Sequence, residues 1–175
     1  MAEMKRVGDL EVAEDLKAQR RNWVFATVGS AVMVMVALAG LLGLFGGAGP
    51  LSRATVGNQN DTLHIQEYER FLRFGKPTTL HLSLDTAQAV EGGQIRLWIN
   101  REYLRGIQLQ EVDPQPDTVE ATPERLVYVF DAEKGSEDRP TEITFELEPD
   151  EIGTLSGRVG LDGGASRTFE QFVYP

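Results

Sequence analysis

Gln94-Ile95-Arg96-Leu97-Trp98-Ile99-Asn100 alternates apolar and polar side chains with a period of two. Ile95, Leu97 and Ile99 therefore share one face of an extended chain, opposite Arg96, Trp98 and Asn100, because successive side chains of a strand point to opposite sides. The same pattern recurs on both sides of this stretch. Leu80, Leu82 and Leu84 alternate with Thr79, His81 and Ser83, Ile107 and Leu109 with Gln108 and Gln110, and Ile143, Phe145 and Leu147 with Thr144 and Glu146. Leu155, Val159 and Leu161 line one face around Gly157, and residues 169–174 close the chain. Residues 126–130 are apolar throughout, which suits a central strand covered on both faces. Turn signals separate the runs at Gly75-Lys76-Pro77, Glu91-Gly92-Gly93, Pro114-Gln115-Pro116-Asp117, residues 134–140 and Asp162-Gly163-Gly164. Residues 100–105 read as a helical turn joining two strands. Seven to eight short, half-buried strands at this spacing predict an all-β fold, an antiparallel β-sandwich.

A second feature precedes the strands. Residues 22–52 contain no charged side chain. A membrane core of ~30 Å needs about 20 apolar residues at 1.5 Å each, so the run is long enough to span it. Gly46-Gly47-Ala48-Gly49-Pro50 supplies the stop. The expected organisation is a cytoplasmic stub (1–21), one transmembrane helix (22–48), a short tether (49–61) and an exported β-sandwich domain (62–175). Residues 10–21 read as a short helix running into the span. Lys17, Arg20 and Arg21 precede the span, whereas Arg53 is the single basic residue between it and Arg70. Basic flanks stay on the cytoplasmic side, so the N-terminus is expected inside and the domain periplasmic or otherwise extracytoplasmic. Ala37-Leu38-Ala39 has the small-x-small form of a signal cleavage site. However, the apolar run exceeds the roughly 7–15 residues usual for a signal, and an uncleaved signal-anchor is expected. Ala39, Gly43 and Gly47 recur at four-residue spacing, as Ala26 and Ser30 do earlier. Such a small-residue face favours packing against another membrane helix, a second copy or a different protein.

The charge is unevenly placed. Residues 1–21 hold five basic and five acidic groups, so the net −10 arises from the 12 basic and 22 acidic groups from Arg53 onward. That excess repels phosphate backbones and excludes nucleic acid as a partner. With no cysteine, disulfides, thiolate metal sites and cysteine nucleophiles are excluded together. There is no nucleophile elbow, no Gly-rich phosphate loop and no serine with a histidine at recognisable spacing. No catalytic residue and no cofactor are expected, and the protein is not expected to be an enzyme. His64 and His81, the two histidines, fall on polar faces of neighbouring strands and are weak candidates for Zn or Cu. Glu146, Glu148, Asp150 and Glu151 could collect Ca²⁺, but alternate carboxylates suit a solvated strand face that discourages edge pairing. Glu67-Tyr68-Glu69-Arg70-Phe71-Leu72-Arg73-Phe74 interleaves aromatic rings with arginine, the residue types that anchor interfaces. Tyr68, Phe71, Arg73 and Phe74 are the expected partner-binding residues.

Glu151, Gly153, Leu155 and Gly157 occupy alternate positions in a way that resembles the entry to the penultimate strand of immunoglobulin-like domains. That pattern runs acidic, Gly or Ala, Tyr, Cys. Leu155 stands in place of the corner tyrosine and Gly157 in place of the cysteine, so the corner hydrogen bond and the disulfide are both missing. Trp98 is the candidate core tryptophan, although its alternation sets it opposite Ile95, Leu97 and Ile99. The resemblance implies an Ig-like sandwich class. The overall layout also resembles a group of uncharacterised bacterial single-pass membrane proteins. The residues that carry this are Gly49-Pro50-Leu51-Ser52-Arg53-Ala54-Thr55, Glu67-Tyr68-Glu69-Arg70-Phe71 and the closing Phe169-Glu170-Gln171-Phe172-Val173-Tyr174-Pro175. It implies a bacterial inner membrane and supplies no activity. The expected function is a membrane-anchored accessory or scaffold whose exported sandwich binds another membrane or envelope protein. The alternative is a periplasmic binding module for a metal ion or small solute, centred on His64 and His81.

Overall fold

The computed structural model describes residues 4–7, 10–13, 16–44, 49, 51–132 and 140–175. The chain divides into two compact units, Met1–Leu41 and Leu42–Pro175. In the first, β1 (Met4–Val7) pairs antiparallel with β2 (Leu10–Ala13), and α1 (Leu16–Leu41) follows. The helix expected from residue 10 therefore starts later, because Leu10-Glu11-Val12 alternates and extends against β1. Gln19–Leu41 is apolar, long enough to cross a membrane and not buried against the rest of the chain. The helix also stops short of residue 48. Gly43 sits past its end with φ of +82°, a left-handed conformation that ends a helix readily at glycine. Leu51 N–H then donates to Leu42 O at 3.1 Å, and the Gly49 backbone packs on Gly43. Of the expected helix-packing residues, Ala39 lies on α1, Gly43 belongs to this turn, and Gly47 lies outside the described residues.

The second unit contains, in chain order, β3 (Arg53–Val56), β4 (Leu63–Glu69), β5 (Phe71–Arg73), β6 (Thr78–Leu84), the helical turn α2 (Thr86–Ala89), β7 (Val90–Glu91) and β8 (Gln94–Asn100). A 3₁₀ turn (Tyr103–Arg105) follows, then β9 (Ile107–Asp113), β10 (Thr118–Ala121), β11 (Arg125–Asp131), β12 (Thr141–Pro149), β13 (Gly153–Leu161) and β14 (Ser166–Tyr174). Among the described residues, one sheet has five strands in the order β3-β4-β6-β12-β9. The other has seven, in the order β10-β11-β8-β13-β14-β5 with β7 beside β8. The two faces enclose one core, so the fold is the antiparallel β-sandwich class that the alternation predicts. Residues 53–56 of the expected tether are a strand of it. Its strand count exceeds the expected seven to eight because β3, β5, β7 and β10 are short edge pieces.

Each alternating run sends its apolar face inward. Leu80, Leu82 and Leu84 of β6 and Ile143, Phe145 and Leu147 of β12 meet Ile95, Leu97 and Ile99 of β8 and Leu155, Val159 and Leu161 of β13 in the core. Residues 127–130 of β11 are buried on both faces, as the unbroken apolar run implies. The chain changes sheets at Arg70: β4 pairs with β6 in one sheet, whereas β5 runs parallel to β14 in the other. Arg70 is held from both sides, its N–H donating to Ser52 O and its carbonyl accepting from Phe172 N–H.

A buried polar chain fixes that crossing. Tyr103 OH donates to Gln171 Oε1 at 2.6 Å, and Gln171 Nε2 donates to Glu69 O at 2.8 Å. Phe169 stands edge-on between Tyr68 and Tyr103, with ring centroids 5.3 and 5.1 Å away. Its ring lies over Gly157, the residue opposite it in the β13–β14 register, where even a methyl group would collide. On the outer face Trp98 covers Gly160 in the same way. Two glycines of β13 thus make room for one aromatic ring on each side of the sheet.

Candidate functional site

β8 and β13 pair over Leu97–Ile99 and Val159–Leu161; β8 then ends at Asn100 and the chain turns through Tyr103–Arg105, while β13 extends on to Gly153 without β8 beside it, leaving an opening. Asn100 bridges the opening. Its Oδ1 accepts from Arg158 N–H at 2.6 Å and its Nδ2 donates to Ser156 O at 3.4 Å, satisfying strand groups that have lost their neighbour. The split opens a groove on the outer face of the seven-stranded sheet, with a volume of about 490 Å³ around Trp98, Asn100, Arg125 and Arg158. It continues past Arg101, Arg105 and Thr168. The β10–β11 hairpin forms the far wall. Arg101 N–H donates to Glu124 O at 2.8 Å, and its Nη1 donates to Thr122 O at 3.2 Å.

Trp98 is the fixed floor of the groove. Its Nε1 donates to Leu161 O at 3.1 Å, Gly160 lies beneath it, and the Arg125 guanidinium sits over the ring at 5.3 Å. Arg125 is steadied by Asp162 at 3.1 Å, and Asp162 also pairs with Arg96 at 3.2 Å. Arg96 grips both oxygens of Glu120, at 3.1 and 2.6 Å. The Arg96 hydrogen bonds hold the Glu120 carboxyl below its usual range, and the Glu120 and Asp162 carboxylates push Arg96 up. Trp98, Arg96 and Arg125 are therefore locked before any ligand arrives. Arg105 and Arg158 face the groove and, among the described residues, enter no ion pair. Glu102 and Glu124 are the carboxylates on its rim.

The groove is the part of an acidic domain where arginines slightly outnumber carboxylates, five against Glu102, Glu120, Glu124 and Asp162. Arg96, Arg101, Arg105, Arg125 and Arg158 border the seven-stranded face. On the five-stranded sheet, Glu142, Glu146 and Glu148 of β12 point outward between the buried Ile143, Phe145 and Leu147. Glu111 of β9 lies opposite Glu146 in register, and Glu67 of β4 pairs with Arg53 at 2.8 Å. The carboxylate row that the sequence offers as a Ca²⁺ candidate is thus a solvated strand face beside an edge strand, where like charge opposes pairing.

The residues singled out from the sequence do not gather at this groove. Tyr68, expected to contact a partner, is 6% exposed and packs against Phe169 in the core, because the register of β4 turns it inward. Phe71 is half-buried, while Arg73 and Phe74 remain outside on the opposite edge of the sheet. His64 and His81 stand on the neighbouring strands β4 and β6 and make separate contacts. His81 Nδ1 lies 3.0 Å from Thr144 Oγ1 on β12, whereas His64 packs against the Gly57 turn on the other side of β4. No group of three His, Asp or Glu side chains that could hold a metal ion occurs among the described residues.

No protein-family model matches the chain, and no curated protein sequence matches it. Among solved structures it is similar to a cohesin module from a family 33 glycoside hydrolase of Clostridium perfringens. The identity is 15%, covering 69% of this chain and 98% of that one, with a TM-score of 0.38. At that distance neither an activity nor a partner passes to this chain. The groove draws on four separate stretches, 98–105, 122–125, 156–158 and 168. The one sequence signal that pointed to it was Trp98, large and aromatic on the polar side of its strand.

Proposed function

We propose that this protein is a membrane-anchored, non-enzymatic interaction module that docks an acidic segment of another membrane or envelope protein in the Trp98 groove. The observation that carries this reading is the groove's make-up: an aromatic floor and arginines held in place by ion pairs, on a domain that is otherwise strongly acidic. Tryptophan and arginine are the side chains that dominate interface energetics, and prior fixation lowers the entropy lost on binding. Carboxylates of a partner would meet Arg105 and Arg158, which among the described residues enter no ion pair that would have to be displaced. The apolar helix Gln19–Leu41 supports the anchor, and the Lys17, Arg20 and Arg21 flank supports an N-terminus inside the cell with the sandwich outside.

Trp23 and Trp98 are the only tryptophans, so Trp23→Phe leaves Trp98 as a single reporter. In detergent, a Glu-rich peptide is expected to change Trp98 emission saturably. The response should weaken as salt rises and disappear in Arg158→Glu/Arg105→Glu. An emission that stays flat, or an unaltered response in the double variant, overturns the docking reading. Protease added to spheroplasts should digest the chain after Arg53. Survival of that part would reverse the orientation.

A further inference from the structure

The sheet edge farthest from the groove carries a second, different surface. Phe172 is 47% exposed, Phe74 44% and Ile152 54%. Phe172 lies opposite Phe71 in the parallel β14–β5 register and opposite Thr154 on β13. Phe74 N–H donates to Tyr174 O, and Ile152 directly precedes Gly153, which pairs with Val173. These side chains therefore line one corner of the sandwich. Basic residues accompany them: Arg70 and Arg73 flank Phe71, and Lys76 N–H donates to Arg73 O. Glu151 and Glu170 also border the corner, so it is mixed in charge, unlike the carboxylate face of the other sheet.

Connectivity says what this corner faces. The Arg70 carbonyl that receives Phe172 N–H belongs to the residue whose own N–H donates to Ser52 O. Ser52 is the last residue of the uncharged run, and Leu51 beside it is 46% exposed. The corner thus lies beside Ser52, where the uncharged run enters the domain. Aromatic rings beside arginine and lysine suit the interfacial zone of a bilayer, where rings enter among the headgroups and cations meet lipid phosphates.

We infer that the Phe74–Ile152–Phe172 corner, with Arg70 and Arg73, rests on the anionic surface of the bilayer that holds the helix. The inference builds on the membrane-anchor reading and gives the domain a fixed posture. Along β13 and β14 the groove pair Arg158–Thr168 lies four residues from the corner pair Thr154–Phe172. That is roughly 13 Å at about 3.3 Å per residue, so the groove would stand just clear of the headgroups. The fitting partner is then one whose acidic segment lies close to the same membrane.

The chain has no cysteine, so single cysteines can be placed and labelled without background. Full-length Phe172→Cys, Ile152→Cys, Gln110→Cys and Val34→Cys, each bearing a small fluorophore, would be reconstituted into phosphatidylethanolamine–phosphatidylglycerol vesicles with nitroxide-bearing lipids. Quenching is expected at 172 and 152 and at Val34→Cys within the helix, but not at 110 on the five-stranded sheet. Arg70→Glu/Arg73→Glu should abolish it at 172 while leaving it unchanged within the helix. Quenching at position 34 with none above the 110 level at 172 overturns the posture and leaves the anchor standing. Loss at 34 as well overturns both. Self-association of label at 172 without lipid quenching would assign the corner to a second copy and equally overturn the proposal.

Discussion

Two buried tyrosines show how the same side chain can hold a fold together or merely occupy it. Tyr103 gives its hydroxyl proton to Gln171, which in turn bonds the Glu69 carbonyl at the sheet crossing. Tyr128 is equally buried, and among the described residues its hydroxyl has no hydrogen-bond partner, although its ring packs edge-on to Phe145 at 5.2 Å. Burial raises both phenols above their ordinary value, Tyr128 to about 12, so both are neutral in the native state. Tyr103→Phe strands Gln171 Oε1 in the core and is expected to destabilise by about 1–3 kcal/mol. Tyr128→Phe removes a hydroxyl with no partner and is expected to be neutral or stabilising. Denaturant unfolding of both variants checks the contrast; equal losses would refute it. Neither role was legible in the sequence. Tyr103 lay in a stretch read only as a linking turn, and Tyr128 in an apolar run. A hydrogen-bond partner 68 residues away leaves no local pattern. Gly157 is similar: it reads as a lost cysteine until Phe169 is seen to fill the space above it.

Among elements, the long strands were legible and the short ones were not, for one physical reason. β6, β8, β12 and β13 each bury one face, so burial writes a period of two into the sequence. β10 is exposed at all four positions and β5 is three residues long, so neither carries that signature. The sheet edges are held by polar links that act at a distance. Asp61, in the turn between β3 and β4, accepts from Asn58 N–H at 2.8 Å and from Arg167 Nη2 of β14 at 2.7 Å. The Asn58 bond, then Arg167, holds its carboxyl below the usual value. A carboxyl depressed by folding stabilises the native state above its unfolded pKa, near 4, and that contribution is lost as pH falls through the lower folded value. Asp61→Asn should therefore melt lower than the parent at neutral pH. The two curves should converge in acid, below about pH 4. A gap that persists at low pH would mean that geometry, not charge, makes the link.

For the molecule as a whole, composition gave a net charge, and the fold gives that charge a direction. Twelve basic groups spread from Arg53 to Arg167 look unremarkable in the chain. The topology brings Arg101, Arg105, Arg125 and Arg158 to one groove because β8, β11 and β13 are neighbours in the sheet although distant in sequence. The apolar helix was legible because its mark is one long uninterrupted apolar run, which local sequence records completely. Its independence from the sandwich can be tested. Every buried member of the described core lies between Leu63 and Val173. A chain shortened to residues 49–175 should thus keep the whole core, including the Tyr103–Gln171 chain and the Arg70 crossing. It should stay soluble without detergent and unfold in one cooperative step, at a midpoint within a few degrees of the full-length protein's sandwich transition. Among the described residues, such a chain loses from this unit the Leu42–Leu51 hydrogen bond, an exposed contribution of about 1 kcal/mol, and the Gly43–Gly49 backbone contact beside it. Calorimetry of both forms decides it. A broad, non-cooperative transition in the shortened chain would show that the sandwich depends on the preceding helix for folding.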